Sequence, residues 1–318
     1  MRVGIVMDPL ERIHFAKDST LGICLLAQQY GWRLEYIPAV SLESLDGAPR
    51  ASAAPLKVFD NQDTFYRLGD FNPQWLADYD LLLMRQDPPV DQRYSYHLML
   101  LASAARQGVL VANNPDELLA RNEKLGANEF PEFSPPSLVS SDIDTLRAFA
   151  ARQGEVIVKP LDGMGGRGIF HLRKNDRNTG VVFETLSSHG SQLIMAQGFI
   201  PQVREGDKRI FLFDGEPWPW CLARIPQTHE ARANLATGGR GETRELTVRD
   251  REIAEGVGKK LKGKGLFFVG LDVIGDYLTE VNITSPTGVR EVLRDTGENP
   301  LEKLLEVINV SLKKPVAT

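Results

Sequence analysis

The chain has 318 residues, 42% hydrophobic and 25% charged, a globular composition that excludes disorder, collagen-like repeats and a coiled coil. That length exceeds one ordinary core and predicts two or three subdomains sharing a cleft. The net charge of -5 leaves no global positive field to attract nucleic acid or an anionic membrane, so an anionic ligand has to be met by local cations.

Two further exclusions concern compartment. Cys24 and Cys221 stand alone and far apart, which rules out a disulfide framework. No window reaches the roughly 18 apolar residues of a membrane span, and the apolar run before Asp8 and Pro9 is too short for a signal-peptide core. The sequence therefore reads as soluble, reduced and cytoplasmic.

In chain order, Val3 to Met7 predicts a buried strand, and Asp18 or Ser19 caps a helix bearing Leu21, Cys24 and Leu25 on one side. Strands at Arg33 to Ile37, Leu81 to Arg85 and Val109 to Ala112, with a helix around Tyr94 to Arg106, continue the alternation expected of a parallel sheet with crossovers. The stretch Leu42 to Phe71 has poor periodicity and holds either a hairpin or a long loop. Asn128 to Pro136, with three prolines, reads as a link to a second unit. Beyond it come a strand at Ser137 to Val139, a helix at Asp142 to Gln153, and strands at Glu155 to Pro160 and Gly168 to Arg173, an α+β grammar of antiparallel pairs. After residue 203 follow two strands joined at Asp214-Gly215, a glycine-rich loop, a helix from Thr247 to Leu261, strands at Phe267 to Ile274 and Tyr277 to Ile283, and a final helix at Glu298 to Leu312.

Lys159-Pro160-Leu161-Asp162-Gly163-Met164-Gly165-Gly166-Arg167-Gly168 places four glycines directly after an apolar strand. Glycine lets backbone N–H groups converge and lets the chain approach a phosphate closely, so a phosphate cover is the functional reading and a plain glycine hairpin the bland one. A strand follows where a dinucleotide fingerprint needs a helix, which disfavours a dinucleotide site. Gly258 to Gly265 imitates a P-loop, but Gly265 stands where a hydroxyl is required and the segment leaves a helix instead of opening one, so its lysines read as a solvated helix end.

Glu280 and Asn282, two apart on a strand, share a face. A three-residue turn sets Asp272 opposite Glu280, whereas a two-residue turn sets Thr279 there. Such an oxygen trio suits a hard cation like Mg²⁺, and an exposed acidic hairpin is the alternative. Arg85, Lys124, Lys159, Arg209, Arg224 and Arg290 are cations in strand or loop contexts that converge if the fold allows it. Arg209 and Arg224 border the strands of one hairpin, where guanidinium groups neutralise carboxylate and phosphoryl oxygens bidentately. The loop Pro226 to Gly241 is long and polar and reads as a lid or as disorder. The five histidines never fall at metal-ligand spacing and no GxSxG is present, which disfavours zinc and serine hydrolysis.

Taken together, Asn122-Glu123-Lys124-Leu125, Val158 to Gly166, Gly206-Asp207-Lys208-Arg209, Cys221 to Pro226, Asn234-Leu235-Ala236, Gly238 to Gly241, Val269 to Asp272, Thr279 to Asn282 and Ser285-Pro286-Thr287 resemble bacterial glutathione synthetase. The likeness runs in order from Gly4 to about Arg290. It departs from the family pattern at Thr228-His229, in a region often richer in glycine, and at Gly288, where some members carry a bulkier residue.

The resemblance implies an N-terminal Rossmann-like α/β domain (1–121), followed by an ATP-grasp fold of two subdomains (122–202 and 203–318). It implies that Lys124 and Lys159 hold ATP phosphates, that Gly163, Met164, Gly165, Gly166 and Gly168 cover them, and that Asp272, Glu280 and Asn282 ligate Mg²⁺ or Mn²⁺. Arg209 and Arg224 would steady the transferred phosphoryl group, with Arg85 and Asn234 at the peptide substrate or the transition state. The implied reaction joins γ-glutamylcysteine to glycine through an acyl phosphate in a cytoplasmic homotetramer. The competing readings are another ATP-grasp ligase, an ATP-binding regulatory module, and a nucleic-acid binder that the charge already opposes.

Overall fold

A computed structural model describes residues 1–227 and 239–313. The first unit is built on β1 (Arg2–Met7), α1 (Ser19–Gln29), β2 (Arg33–Pro38), β3 (Glu43–Leu45), β4 (Ala48–Val58), β5 (Tyr66–Leu68), β6 (Asn72–Trp75), β7 (Leu81–Met84), α2 (Gln92–Arg106), β8 (Leu110–Ala112) and α3 (Pro115–Ala120). The strand order is β3-β4-β2-β1-β7-β8, and β1, β2, β7 and β8 run parallel. β1 and β7 are buried on both faces, as their unbroken apolar runs require. Asp18 starts α1 by accepting from Leu21 N at 2.6 Å, and Asp91 starts α2 by accepting from Tyr94 N at 2.8 Å.

The stretch Leu42 to Phe71 holds strands. β4 pairs with β2, β3, β5 and β6, all antiparallel, and extends the parallel sheet. Half of its buried positions are Ala51, Ala53 and Ala54, too small to register as an apolar alternation. Asn128 to Pro136 also differs from expectation: Phe130 and Phe133 are buried, and Phe133 O accepts from Leu278 N at 2.8 Å. The prolines break regular structure there without freeing the chain.

The second unit is a four-stranded antiparallel sheet in the order β11-β10-β12-β9. It comprises β9 (Ser137–Ser140), α4 (Ile143–Gln153), β10 (Val156–Pro160), β11 (Phe170–Leu172), α5 (Thr179–Leu186) and β12 (Ile194–Gly198). Leu146, Phe149, Val156, Val158, Phe183 and Ile194 form a core belonging to this unit alone. The opposite face presents Ile157, Lys159 and Gln197.

The third unit is β13 (Asp207–Phe213), β14 (Glu216–Ile225), β15 (Arg240–Glu245), α6 (Val248–Leu261), β16 (Phe268–Ile274), β17 (Tyr277–Asn282), α7 (Val289–Thr296) and α8 (Pro300–Leu312), with sheet order β15-β14-β13-β16-β17. Ile210, Leu212, Val269 and Leu271 face α6, while Phe211, Phe213 and Phe268 face α7, α8 and α1. Both cores continue into the first unit. Asn113, just past β8, strengthens that union: its Nδ2 donates to Phe268 O and Ile283 O at 2.8 and 2.7 Å, and its Oδ1 accepts from Phe268 N at 3.0 Å. At the P-loop imitation, a Cβ on Gly258 would stand 2.0 Å from Gly215 O, so that glycine serves a close approach of helix to hairpin, and Lys259 and Lys260 are exposed.

One ion pair ties the parallel sheet to its meander. Glu35 on β2 accepts from Arg2 Nε at 2.8 Å and from Tyr79 Oη at 2.6 Å, and Arg2 also donates to Gln74 Oε1 at 2.7 Å. Burial raises the Glu35 pKa, but the Arg2 and Tyr79 hydrogen bonds outweigh it and hold the carboxyl below its usual range. A depressed carboxylate stabilises the fold above its unfolded pKa, and that contribution is lost as pH falls. Glu35→Gln should therefore lower stability at pH 7 by about 1–2 kcal/mol, and denaturant titrations should show the gap to wild type closing below about pH 4.

Candidate active site

The α7/α8 face of the third sheet changes character along its length. Phe211, Phe213 and Phe268 lie under helices, but two and four residues on, the same strands carry Arg209, Asp207, Gly270 and Asp272 on that same face. In register, Asp207 sits opposite Arg224, Arg209 opposite Asp272, and Asp272 opposite Glu280. A row of charge thus crosses β14, β13, β16 and β17.

Glu280 reaches that row through a bulge. The β16–β17 turn has two residues, since Ile274 pairs with Tyr277, which alone would set Thr279 opposite Asp272. The register shifts between Asp272 and Val273, however, and Glu280 takes the position. The displaced Thr279 donates its hydroxyl to Asp272 O at 3.1 Å and lends its own carbonyl to Lys159 Nζ at 3.4 Å. Both turn geometries weighed from the sequence are in this sense half right.

Within the row the charges are locked. Arg209 donates Nε to Asp272 Oδ1 at 2.6 Å and Nη2 to Asp272 Oδ2 at 3.2 Å. Arg224 Nη2 lies 2.6 Å from Asp207 Oδ2 and 2.9 Å from Asp272 Oδ2. All four residues are buried. Burial pushes the Asp272 carboxyl up, but Arg209 and Arg224 outweigh it and hold it well below the usual carboxylate range. Asp207 goes the other way: burial raises it, against the pull of Arg224 and with the push of Asp272. Gly270 makes room for Arg209, because a Cβ there would lie 2.8 Å from Arg209 Cδ.

Across a cleft stand Lys159 and the glycines of the second unit, while Lys124 borders the cleft from the third unit's side, its neighbour Glu123 accepting at its carbonyl from Val281 N of β17 at 2.8 Å. Lys159 on β10 reaches Glu280 Oε1 at 3.2 Å, and Lys124 donates to Gly163 O at 2.5 Å. Burial raises Glu280, but Lys159 and Lys124 outweigh it and keep it ionised. Gly163, Met164, Gly165, Gly166 and Arg167 line the same cleft; Gly165, Gly166 and Gly168 have positive φ, a conformation that favours glycine.

Arg85 does not line this cleft. It is buried at the C-terminal end of β7, donating Nε to Thr20 Oγ1 at 3.0 Å and Nη2 to Pro286 O at 3.1 Å. Arg209 Nη1 holds the next carbonyl, Thr287 O, at 3.3 Å, so the two arginines pin one segment from two units. Arg290 turns away to Phe15 O and to Asp60, 3.3 Å from its Oδ1. Asn234 lies outside the described residues, as do Thr228, His229 and most of the loop read as a lid.

Four residues escaped the sequence reading. Asp207 was quoted within its motif without a role, although its spacing of two from Arg209 was a usable signal. Glu123 is another: its Oε1 accepts from Ile283 N, Thr284 N and Thr284 Oγ1 at 3.0, 3.1 and 2.8 Å, bracing the strand end below Asn282. Gln197, buried in the cleft wall, leaves Nε2 without a partner among the described residues. Thr279 was visible only as a possible register.

Asp272, Glu280 and Asn282 present oxygen donors on one face, and Asn282 Nδ2 is buried without a partner among the described residues. No cluster of three or more His, Cys, Asp or Glu side chains close enough to hold a metal occurs among the described residues. The set fits a hard cation that arrives with phosphate oxygens of its own, as Mg²⁺ does.

The parallel-sheet unit, the antiparallel unit and the charged sheet face closing on a glycine loop together define an ATP-grasp ligase. D-cycloserine synthetase shares this fold with a TM-score of 0.68 at 12% identity, covering 98% of this chain and 100% of its own. Residues 1–118 match the N-terminal domain and residues 123–297 the ATP-grasp domain of prokaryotic glutathione synthetase, and the chain belongs to that family. The glutathione synthetase of Pseudomonas syringae pv. tomato is 51% identical over 313 residues, 98% of either chain, and that of Salmonella typhimurium 45% identical over 314 residues, 99% of this chain and 100% of its own. No helix among the described residues is long and apolar enough to cross a membrane.

Removing one member of the charge row should be costly to the fold itself. Arg224→Leu leaves Asp207 and part of Asp272 buried and uncompensated, and is expected to destabilise the protein by about 3–5 kcal/mol, read as a lowered urea midpoint. An unchanged midpoint would show that the row is not desolvated in solution.

Proposed function

We propose that this chain joins γ-glutamylcysteine to glycine at the expense of ATP, giving glutathione, ADP and phosphate through an acyl phosphate. The observation that carries the reading is the charge row Arg224, Asp207, Arg209, Asp272 and Glu280, of which Asp207, Asp272 and Glu280 line one cleft together with Lys124, Lys159 and the glycine loop.

A carboxylate is a poor acyl donor because its oxygen leaves badly, and phosphorylation makes it a good one. The peptide's glycine-accepting carboxylate attacks the γ-phosphorus of ATP and ADP departs. Glycine's amine then attacks the acyl carbon, phosphate leaves, and the amine loses a proton. Such transfers need positioning and charge stabilisation more than covalent help from the protein. Lys124 and Lys159 hold the ATP phosphates, and residues 163–168 close over them. Arg209 and Arg224, already locked in place, meet oxyanions without first having to order their side chains. Asp272, Glu280 and Asn282 would hold Mg²⁺, or Mn²⁺ in its place, which neutralises phosphate charge when bound. Arg85 and Asn234 are assigned to the peptide side, Arg85 through the Pro286 segment it holds. Excluding water protects the acyl phosphate from hydrolysis.

The same reading divides the chain at 1–121, 122–202 and 203–318 and places it in the cytoplasm as a homotetramer. Support for the compartment comes from the absence of a disulfide framework and of a spanning segment in the sequence.

The deciding assay measures phosphate released from Mg²⁺-ATP and γ-glutamylcysteine with and without glycine, alongside glutathione by mass. Glycine-dependent phosphate matched one for one by glutathione is expected; phosphate release with no glutathione would send the assignment to another acceptor amine. Within that assay, Gly270→Ala should push Arg209 off its position and lower kcat by about tenfold or more, with a far smaller effect on KM for ATP. Equal kcat in the two proteins would remove Arg209 from the chemistry.

A further inference from the structure

Besides its charged residues and glycines, the cleft is lined by Ile157, Ile169, Phe199, Ile200, Val203 and Ile274, apolar walls of the chemistry that takes a flat purine. Of these walls only Phe199 is an aromatic ring, and it follows β12 on the segment leading out of the second unit. That ring is backed by an arrangement to which the proposed chemistry gives no task. The imidazole of His171 stacks on it, with centroids 4.0 Å apart and planes at 19°. His171 Nε2 in turn donates to Glu155 Oε2 at 2.9 Å, and Glu155 O accepts from Phe199 N at 3.1 Å. One residue thus anchors both the main chain of Phe199 and the ring behind it.

The placement is not incidental to the cleft. His171 lies directly opposite Ile157 in the β10–β11 register, as Gln197 does in the β10–β12 register, so it stands on the cleft-facing side of the sheet. It is also three residues beyond Gly168, the last glycine of the phosphate cover. Its side chain is only 15% exposed, whereas Glu155 is 46% exposed, so the carboxylate reaches in from the rim to fix an enclosed ring. Surface ion pairs contribute little on their own, and a stacked pair of rings gains by defining the orientation of both.

We propose that His171 is a positioning residue for the nucleotide base, holding Phe199 at the angle against which the purine packs, with Glu155 fixing the imidazole. This rests on the reading of the cleft as the ATP site. The test compares ATP binding, by calorimetry, with inhibition by Mg²⁺-tripolyphosphate, which carries the phosphates and lacks the base. His171→Ala should weaken ATP about three- to tenfold and leave tripolyphosphate inhibition as in wild type. His171→Phe, which keeps a stacked ring, should regain most of the lost affinity, and His171→Leu, of comparable bulk without a ring, should not. In steady state the change should fall on KM for ATP more than on kcat or on KM for the peptide. Unchanged ATP affinity in His171→Ala, equal loss for ATP and tripolyphosphate, or identical behaviour of the Phe and Leu variants each overturns the proposal. Failure of the wild type to bind ATP would instead overturn the reading of the cleft itself.

Discussion

Two carboxylates and two guanidinium groups sealed into one sheet face set the terms for the rest of the molecule. Asp207, Arg209, Arg224 and Asp272 are all buried, and none of these charges is tolerable there without the others. Their mutual neutralisation demands that three strands keep one register and that Gly270 carry no side chain, and it leaves Asp207 Oδ1 buried without a hydrogen-bond partner among the described residues. It also leaves Arg209 a donor free to reach Thr287 O, which draws the start of α7 over the site. The cluster is neutral as a set, so the positive charge an anionic ligand meets comes from Lys124, beside β17, and from Lys159 and Arg167 on the other wall, partly offset by Glu280. The cleft therefore divides its labour: one wall carries the interlocked arginines and carboxylates, the other Lys159, Arg167 and the glycines.

Much of this was legible from residue order. β1 and β7 announced themselves because their apolar runs are unbroken, and α1 because Asp18 or Ser19 offers a cap at its start. The ordered set of motifs from Gly4 to Arg290 carried the family, which its relatives bear out. What remained hidden has physical reasons. β4 uses alanines where a reader looks for valine and isoleucine. Phe130 and Phe133 sit among prolines that suggest a tether, yet burial of two rings decides the matter. α5 and β12 lack a strong signature at either end. Within the site, the bulge at Thr279 is a backbone event, and no side-chain pattern distinguishes it from a longer turn. The partnering of Asp272 with arginines, beside its candidacy as a metal donor, depends on register across β13 and β16, which local spacing does not fix.

The Asx and threonine devices at the helix starts fit the same economy. Thr247 and Asp250 satisfy each other at the head of α6, and Asp250 is also the partner of Lys208 on β13. A cap and a cross-sheet ion pair are one residue, and the helix that backs the charged row is thereby indexed to the strand that bears it. Rigidity of the arginine wall is thus secured from behind as well as within the face.

The distribution of cores has its own consequence. The first and third units share two continuous apolar clusters and the Asn113 cross-link, while the second keeps a small core to itself. Among the described residues, direct bonds across the cleft are few, chiefly Lys159 to Glu280 and Thr279 O, and Asn122 and Lys124 to the carbonyls of Leu161 and Gly163. A bound ligand adds to these bonds, so residues 137–198 should gain resistance to local unfolding when the cleft is filled, and the ligand then acts as a removable structural part of the enzyme it serves.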